Sequence, residues 1–214
     1  MFSGGVKKAV ERRLGRALHA ARSFLQRAAV TGRQLDLSLL HEPGEDTHAL
    51  ALACAEAGIL EVTEQAWRFS HDKLRERLLA DHTDAKRHAL HLGLAWRISA
   101  AHPEDPLYAG RAAYHFREAG EWAKAEANFT RAAESALRRG ASAEAEALFG
   151  HAHALQRLIS VSRLQRVRVL RGLSEARFAQ GKLREADLSL RSRCEAAALP
   201  LPETALDWPK ARLK

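Results

Sequence analysis

The 214-residue chain has 34 Lys and Arg residues against 26 Asp and Glu residues, which gives a formal net charge of +8, and 46% of its residues are apolar. That apolar content can bury one large core or two modest ones, and two domains are the better interpretation at this length. No apolar run approaches the length of about 18 residues that spans a bilayer, and no apolar segment follows the N-terminal lysines, so we expect a cytoplasmic protein with no membrane partner.

The first 58 residues predict a series of short helices. Val10, Leu14 and Leu18 recur every four residues, and after a break around His19 an apolar stripe continues to Val30. This spacing places the apolar side chains on one face of each helix. Two helices are therefore predicted before residue 32.

Two aspartates mark the starts of further helices. Asp36 is placed to cap a short helix that contains the leucines at 37, 39 and 40, and Asp46 is placed to cap a helix that runs to Ala57. Gly58 stands where a helix needs a left-handed C-terminal residue. Pro43 and Gly44 predict the turn between the two helices.

Residues 59–79 contain the one β segment that the sequence predicts. Leu60 and Val62 alternate with polar residues, and Trp67 and Phe69 do the same on the far side of Glu64-Gln65. Such alternation is typical of two half-buried strands joined as a hairpin. A lone hairpin is marginally stable in water, so this one must pack on the helices around it.

A helix is predicted directly after the hairpin. Leu74 and Leu78 stand four residues apart among charged residues, and Ser70 is placed to cap the first turn. Asp84 is then placed to cap a long helix that His102-Pro103 ends. Short helices followed by a two-stranded hairpin are the order of elements in a winged helix, so residues 1–102 are predicted to form a winged-helix-like domain.

A repeated motif changes the character of the chain after Asp105-Pro106, where another helix begins. Segment 120–129 recurs as 140–149 and again as 181–190, each with Gly, then Ala five residues later, then Phe or Leu. Small residues let antiparallel helices approach closely, and the larger residue fills the layer between them. The copies are twenty and forty-one residues apart, so they do not keep the strict register of about 34 residues that tetratricopeptide repeats have.

Six segments carry a resemblance to a known class of proteins, and 68–76 is the most specific of them. They are residues 6–14, 28–33, 55–60, 67–76, 87–91 and 114–120. With these segments the chain resembles the region that follows the nucleotide-binding domain in STAND-type signalling ATPases, the class that includes the maltose-regulon activator and large bacterial kinases, cyclases and LuxR-associated regulators. The resemblance implies a winged-helix-like module that leads into a partial tetratricopeptide-like array at 103–214, the part that senses or transmits a signal.

The ATP-binding motif of that class is missing. A P-loop needs G-x-x-x-x-G-K-[ST], whose backbone amides hold the phosphates. Gly4-Gly5 lacks the lysine and hydroxyl at the right spacing, and Gly181-Lys182 belongs to the repeat. No cofactor or nucleotide site is therefore predicted, and we expect a fragment or a degenerate stand-alone gene.

The histidines and cysteines do not predict a metal or catalytic site. His88 and His91 lie one turn apart but have no third or fourth ligand at a known spacing, and His71 is interpreted as a packing residue. Cys54 and Cys194 are interpreted as buried free thiols. A hydrolase site would need a Ser or Cys nucleophile on a strained turn with a histidine close enough to act as its base, and the sequence shows no such arrangement. No enzyme and no catalytic residue are therefore predicted.

Positive charge leaves two kinds of partner open. Residues 1–40 carry eight basic residues against two acidic ones, and residues 156–193 carry ten against three. The pattern fits helix faces that complement an acidic protein, and it also fits nucleic acid.

The hairpin region argues against nucleic acid. In a winged helix the helix before the hairpin enters the major groove, yet the helix within residues 42–57 has no Lys or Arg. The four tryptophans, at 67, 96, 122 and 208, are interpreted as separate pieces of core, not as a platform on which bases stack. We therefore expect a non-catalytic regulatory segment that binds a protein or ligand, with a nucleic-acid-binding regulator as the alternative.

Overall fold

The computed structural model describes residues 19–63 and 66–198, and it confirms a mainly α-helical protein with a short β-hairpin. Contacts divide the chain into two compact units between Ile98 and Ser99. This division falls inside a continuous helix, whereas the sequence placed it after His102 at the end of that helix. The elements in chain order are α1 (His19–Thr31), β1 (Gln34–Leu35), α2 (Leu37–Leu40), α3 (Thr47–Glu56), β2 (Leu60–Thr63), β3 (Ala66–Phe69), α4 (Asp72–Ala80), α5 (Asp84–Ala101), α6 (Pro106–Glu118), α7 (Trp122–Arg138), α8 (Ser142–Leu155), α9 (Arg163–Ala179) and α10 (Leu183–Ala197).

Caps set the starts of the short helices in the first unit. The Asp36 carboxylate accepts a hydrogen bond from the amide of Ser38, and that of Asp46 accepts one from Ala49, as predicted. Gly58 follows α3 with a φ of 70°, which confirms the left-handed residue expected there. The prediction that Asp84 caps α5 is wrong, because Asp84 is the first residue of that helix and the Thr83 hydroxyl accepts from the Lys86 amide instead. The predicted helix over residues 10–18 lies outside the described residues.

The sheet has three antiparallel strands in the order β1-β3-β2, one more than the sequence predicted. Leu60 faces Phe69 and Val62 faces Trp67 across the hairpin, while Leu35 of β1 pairs with Trp67 from the other side. β1 was missed because two residues are too short to show alternation. The Glu64-Gln65 turn lies outside the described residues.

One face of the sheet and the inner faces of α1, α3 and α4 share a core. Phe69 is 2% exposed, whereas Val62 is 54% exposed, so only part of the alternating pattern points inward. Trp67 is half-buried against the edge of the core. The buried members are Ala21, Phe24, Leu25, Ala28, Ala29, Leu35, Leu40, Ala51, Cys54, Ile59, Leu60, Phe69, Leu74 and Leu78.

Ser70 joins the hairpin to the end of α3, and the prediction that it caps α4 is wrong. Its hydroxyl donates to the carbonyl oxygens of Gly58, at 2.8 Å, and Ile59, at 3.1 Å. His71 occupies the cap position of α4 without a side-chain cap and is exposed, so its predicted packing role is also wrong. The pairing of β2 with β3 brings the carbonyl groups of Gly58 and Ile59 next to Ser70, so its hydroxyl bonds to them and not to the free amides at the start of α4.

The three copies of the glycine motif form three equivalent turns in the second unit. Gly120, Gly140 and Gly181 have φ values of 75°, 77° and 73°, and each lies in the three-residue connection between two helices. The amide after each glycine donates to the carbonyl five residues earlier, as in a Schellman motif. A side chain with a β-carbon would be strained at these φ values, so glycine is required.

The other residues of the motif are buried as the sequence predicts, except Leu190 of the third copy, which is only half-buried. Ala125 and Ala145 are fully buried, and so is Ala186 apart from 3% of its surface. Phe129 and Phe149 are buried as well. Each helix from α6 to α10 packs against the next, and α7 also contacts α9.

The α8–α9 connection differs from the other three. It runs through residues 156–162 and ends in a capping box, in which the Ser162 hydroxyl accepts from the Gln165 amide and the Gln165 side chain accepts from the Ser162 amide. This longer connection and the absence of a glycine turn account for the irregular spacing of the three copies.

Candidate functional site

A groove of about 470 Å³ lies on the second unit where α7, α8 and α9 meet. We call it the α7–α9 groove. Its walls carry arginine and glutamate side chains, and its floor is apolar. The residues that line it are Glu134, Leu137, Arg138, Phe149, Arg168, Arg171, Gly172 and Glu175.

The floor is formed where α8 and α9 approach most closely. The Phe149 ring lies against the backbone of Gly172, and a β-carbon on that glycine would stand 2.1 Å from the ring Cζ. Both residues are buried. Glycine is therefore needed at 172 for close approach and not for an unusual φ.

One arginine on the groove is fully paired. Arg168 of α9 donates from Nε to Glu134 Oε1 at 2.5 Å and from a terminal nitrogen to Glu134 Oε2 at 2.6 Å. Such a two-point contact is the strong geometry for arginine and carboxylate, and it holds the pKa of Arg168 above its usual range. This ion pair bridges α7 and α9 across the groove.

Two other arginines keep most of their hydrogen-bonding capacity. Arg171 lies 3.6 Å from Glu175, beyond hydrogen-bonding distance, with 57% of its side chain exposed. Arg138 is exposed and has neither an ion pair nor a hydrogen bond to any described residue. Because a guanidinium offers five N–H donors in a planar fork, both can still bind carboxylates.

The exposed face of α9 continues the groove in both directions. Leu164, Arg168, Arg171, Glu175 and Phe178 are separated by four, three, four and three residues, so they form one stripe along the helix. Leu164 is 78% exposed and Phe178 is 57% exposed. We call these five residues the α9 stripe: charged side chains occupy its centre and large apolar side chains its ends.

The opposite side of α9 is held by Glu146 of α8. The carboxylate of Glu146 accepts from Lys182 Nζ at 2.5 Å, Arg177 Nε at 2.9 Å and Gln180 Nε2 at 3.0 Å. These bonds, that of Lys182 first, lower the pKa of Glu146 to about 2. The cluster joins α8, α9 and the start of α10, so it fixes the wall of the groove from behind.

A buried polar group supports α7. Glu126 is 3% exposed, and its carboxylate accepts a hydrogen bond from Gln156 Nε2 at 2.7 Å. The Thr130 hydroxyl donates a longer one to the same carboxylate, at 3.4 Å. Gln156 also donates to the carbonyl of Gln165 at the start of α9. This network ties α7 to the α8–α9 connection.

The first unit has a smaller cavity, of about 110 Å³, among α1, α2 and α5. Arg27 and Arg97 line it, but their guanidinium groups pair with Glu45 and Glu42 respectively. Arg97 holds the pKa of the Glu42 carboxyl below its usual range. The charges therefore neutralise one another inside the unit.

The two histidines considered as metal ligands do not share an environment. His91 is 5% exposed in the inner face of α5, whereas His88 is exposed on its outer face. Within residues 19–63 and 66–198, no group of three His, Cys, Asp or Glu side chains could hold a metal ion. This geometry gives no support to a metal site.

The cysteines are placed as the sequence predicts. Cys54 is 1% exposed and Cys194 is fully buried, and both are free thiols. Burial raises the pKa of the Cys54 thiol to about 11, which keeps it protonated and unreactive at neutral pH.

The tryptophans are less buried than expected. Trp96 is 51% exposed and Trp122 is 41% exposed, so the interpretation of both as core residues is wrong. Trp67 packs against the core of the first unit, and Trp208 lies outside the described residues. The buried faces of α5 and α7 are formed by residues smaller than tryptophan, and the two indoles lie outside those faces, at the helix surface.

Sequence reasoning did not find the α7–α9 groove. The concentration of basic residues at 156–193 predicts a charged surface but does not place it, whereas the spacing of four and three residues from Leu164 to Phe178 does. That spacing, with large apolar residues on a face opposite to the buried one, was the available signal.

Comparisons with known proteins add no family to this geometry. A scan against family models, a search of curated proteins and a search of solved structures each found no match to this chain. Among the described helices, none has the length and apolar character needed to cross a bilayer.

Proposed function

We propose that this chain is a non-catalytic regulatory segment whose second unit binds a segment of a partner protein in the α7–α9 groove. The observation that carries the proposal is the pair Arg138 and Arg171, two arginines with spare donors beside an apolar floor. Arginine together with aromatic and large apolar side chains is typical of the residues that dominate protein interfaces.

The resemblance to STAND-type signalling ATPases gives the proposal its biological setting. The first unit would act as the winged-helix-like module and the second as the partial tetratricopeptide-like array, in the cytoplasm. The short helices before the hairpin support the first part, and the three equivalent glycine turns support the second. An in-frame P-loop encoded directly upstream of this segment would test that setting.

Nucleic acid is the alternative partner, and the first unit offers it little. The helix before the hairpin, α3, has no Lys or Arg, and Arg27 and Arg97 are engaged with glutamates. The arginines at the cavity of the first unit are therefore already neutralised by carboxylates, and α3 offers no cation to a phosphate. We therefore favour a protein partner.

The experiment places a photo-cross-linking amino acid at Leu137 inside the groove and, as a control, at Leu188 on the outer face of α10. Leu188 is 63% exposed and does not line the groove. We expect a discrete protein adduct from position 137 and none from position 188. Adducts to nucleic acid, or equal adducts at both positions, would overturn the proposal.

A further inference from the structure

We propose that the α7–α9 groove binds an acidic amphipathic helix. The carboxylates of this helix pair with Arg138 and Arg171, and its apolar residues contact Leu164 and Phe178. This inference rests on the proposed function and specifies the chemistry of the partner.

The charge of the groove selects carboxylates. Arg168 is neutralised by Glu134, which leaves Arg138 without an ion pair among the described residues and Arg171 only weakly paired to Glu175. An incoming carboxylate can accept two parallel N–H bonds from either guanidinium. A basic segment would meet these same two cations and be repelled.

The shape of the α9 stripe suits a helical partner. Its residues stand four and three apart, so all five lie in one straight row on a single face of α9, along which a second helix can lie. From Leu164 to Phe178 the stripe extends about 21 Å along the axis, at about 1.5 Å per residue. A partner helix of about four turns would therefore cover it.

The order of side chains along the stripe defines the sequence pattern of the partner. Leu164 and Phe178 lie at the two ends, and Arg171 lies midway, seven residues from each. A complementary helix has apolar residues about four turns apart and Glu or Asp between them.

The same surface is less suited to nucleic acid. The exposed side chains of Leu164 and Phe178 would gain little from a phosphate backbone. A helical peptide that carries both apolar and acidic residues can contact Leu164 and Phe178 with the former and pair with the arginines through the latter.

The test is a selection from a random library of helical peptides displayed on phage, against the full chain. Enriched peptides are then synthesised with a fluorescent label and titrated by anisotropy. The groove variant is Arg138→Glu with Arg171→Glu. The control is Arg157→Glu with Arg184→Glu, which makes the same change in net charge at two exposed arginines that do not line the groove.

We expect enriched peptides with central acidic residues and apolar ends, at least ten-fold weaker binding to the groove variant and little change with the control. Binding should weaken as salt is added. Thermal melts followed by circular dichroism serve as the control that both variants are folded.

Two results would overturn the inference in different ways. Neutral or basic peptides that lose binding in the groove variant would leave protein binding in the groove intact but contradict an acidic partner. Peptides that bind both variants equally, or no enrichment combined with oligonucleotide binding that the groove variant loses, would contradict the proposed function as well.

Discussion

The ring of Phe149 and the backbone of Gly172 touch so closely that no β-carbon fits between them. This contact sets the distance between α8 and α9 and so the depth of the α7–α9 groove. Gly150, the neighbour of Phe149 in the chain, has open space where its β-carbon would lie. The two glycines therefore differ in what they contribute, although both lie within helices.

The first prediction compares alanine at these two glycines. Gly172→Ala should cost about 1–3 kcal/mol because the new methyl group forces the buried ring aside. Gly150→Ala should be neutral or stabilising by up to about 1 kcal/mol, because alanine is the better helix former. Urea denaturation of both variants checks this, and a Gly172→Ala variant as stable as the parent would show that α8 and α9 separate easily.

The second prediction concerns acid. The pKa of Glu146 is lowered from 4.5 to about 2 in the folded chain, so its ionised form stabilises the fold fully above pH 4.5. That stabilisation should be lost as pH falls from about 4.5 towards 2, where the folded carboxylate takes up its proton.

Removing the charge of Glu146 should mimic the effect of acid. One pKa unit corresponds to about 1.4 kcal/mol, and since solvent reaches the Lys182 end of the cluster, we expect Glu146→Gln to cost about 1–3 kcal/mol at neutral pH. Glu144→Gln on the same helix, where the pair with Arg139 is exposed, should cost less than about 1 kcal/mol. Equal losses in the two variants would contradict the role assigned to Glu146.

The third prediction concerns the hairpin. Phe69→Ala should cost about 3–5 kcal/mol because the ring is buried in the core of the first unit. Trp67→Ala should cost less, since this indole lies at the edge of the core, and Val62→Ala should cost no more than about 1 kcal/mol. Chemical denaturation orders the three variants, and an unchanged midpoint in Phe69→Ala would show that the hairpin is not packed on the helices.

The fourth prediction concerns the thiols. Because the Cys54 thiol is buried and its pKa is raised to about 11, it should not react with a thiol reagent at neutral pH in the folded state. Cys194 is buried too and should be equally protected. Ellman titration should detect both thiols only after denaturant is added, and rapid reaction of either in buffer would show local opening of its helix.

The fifth prediction follows from the sequence. Without a P-loop the chain should not bind ATP, since micromolar affinity corresponds to about 8 kcal/mol of binding free energy and needs a phosphate cradle. Isothermal titration calorimetry with MgATP measures this directly. Heat of binding that gives a micromolar dissociation constant would contradict both this prediction and the proposal of a non-catalytic segment.

The sequence was most informative where one residue type is required by the backbone. Gly120, Gly140 and Gly181 recur because each occupies a positive φ that other residues avoid, so the repeated turns and the helices around them could be predicted. The helix-capping roles of Asp36 and Asp46 could also be predicted, because the free amides at the start of a helix need a hydrogen-bond acceptor.

The features that were missed depend on partners distant in the chain. β1 exists because Gln34 and Leu35 meet Arg68 and Trp67, and two residues carry no pattern of their own. The direction in which the Ser70 hydroxyl points was likewise decided by a strand that runs beside it. The groove needs three helices, and only their packing brings Arg138 of α7 to the same surface as Arg171 of α9.

The three equivalent glycine turns also bear on how such an array can lengthen. Each turn has the same backbone conformation at its glycine, and the alanine five residues later is buried in all three copies. Because helices joined by such short turns run antiparallel, lengthening the array with the same packing takes two turns and two helices, not one of each. Among the four connections from α6 to α10, only the longer α8–α9 connection lacks the glycine turn.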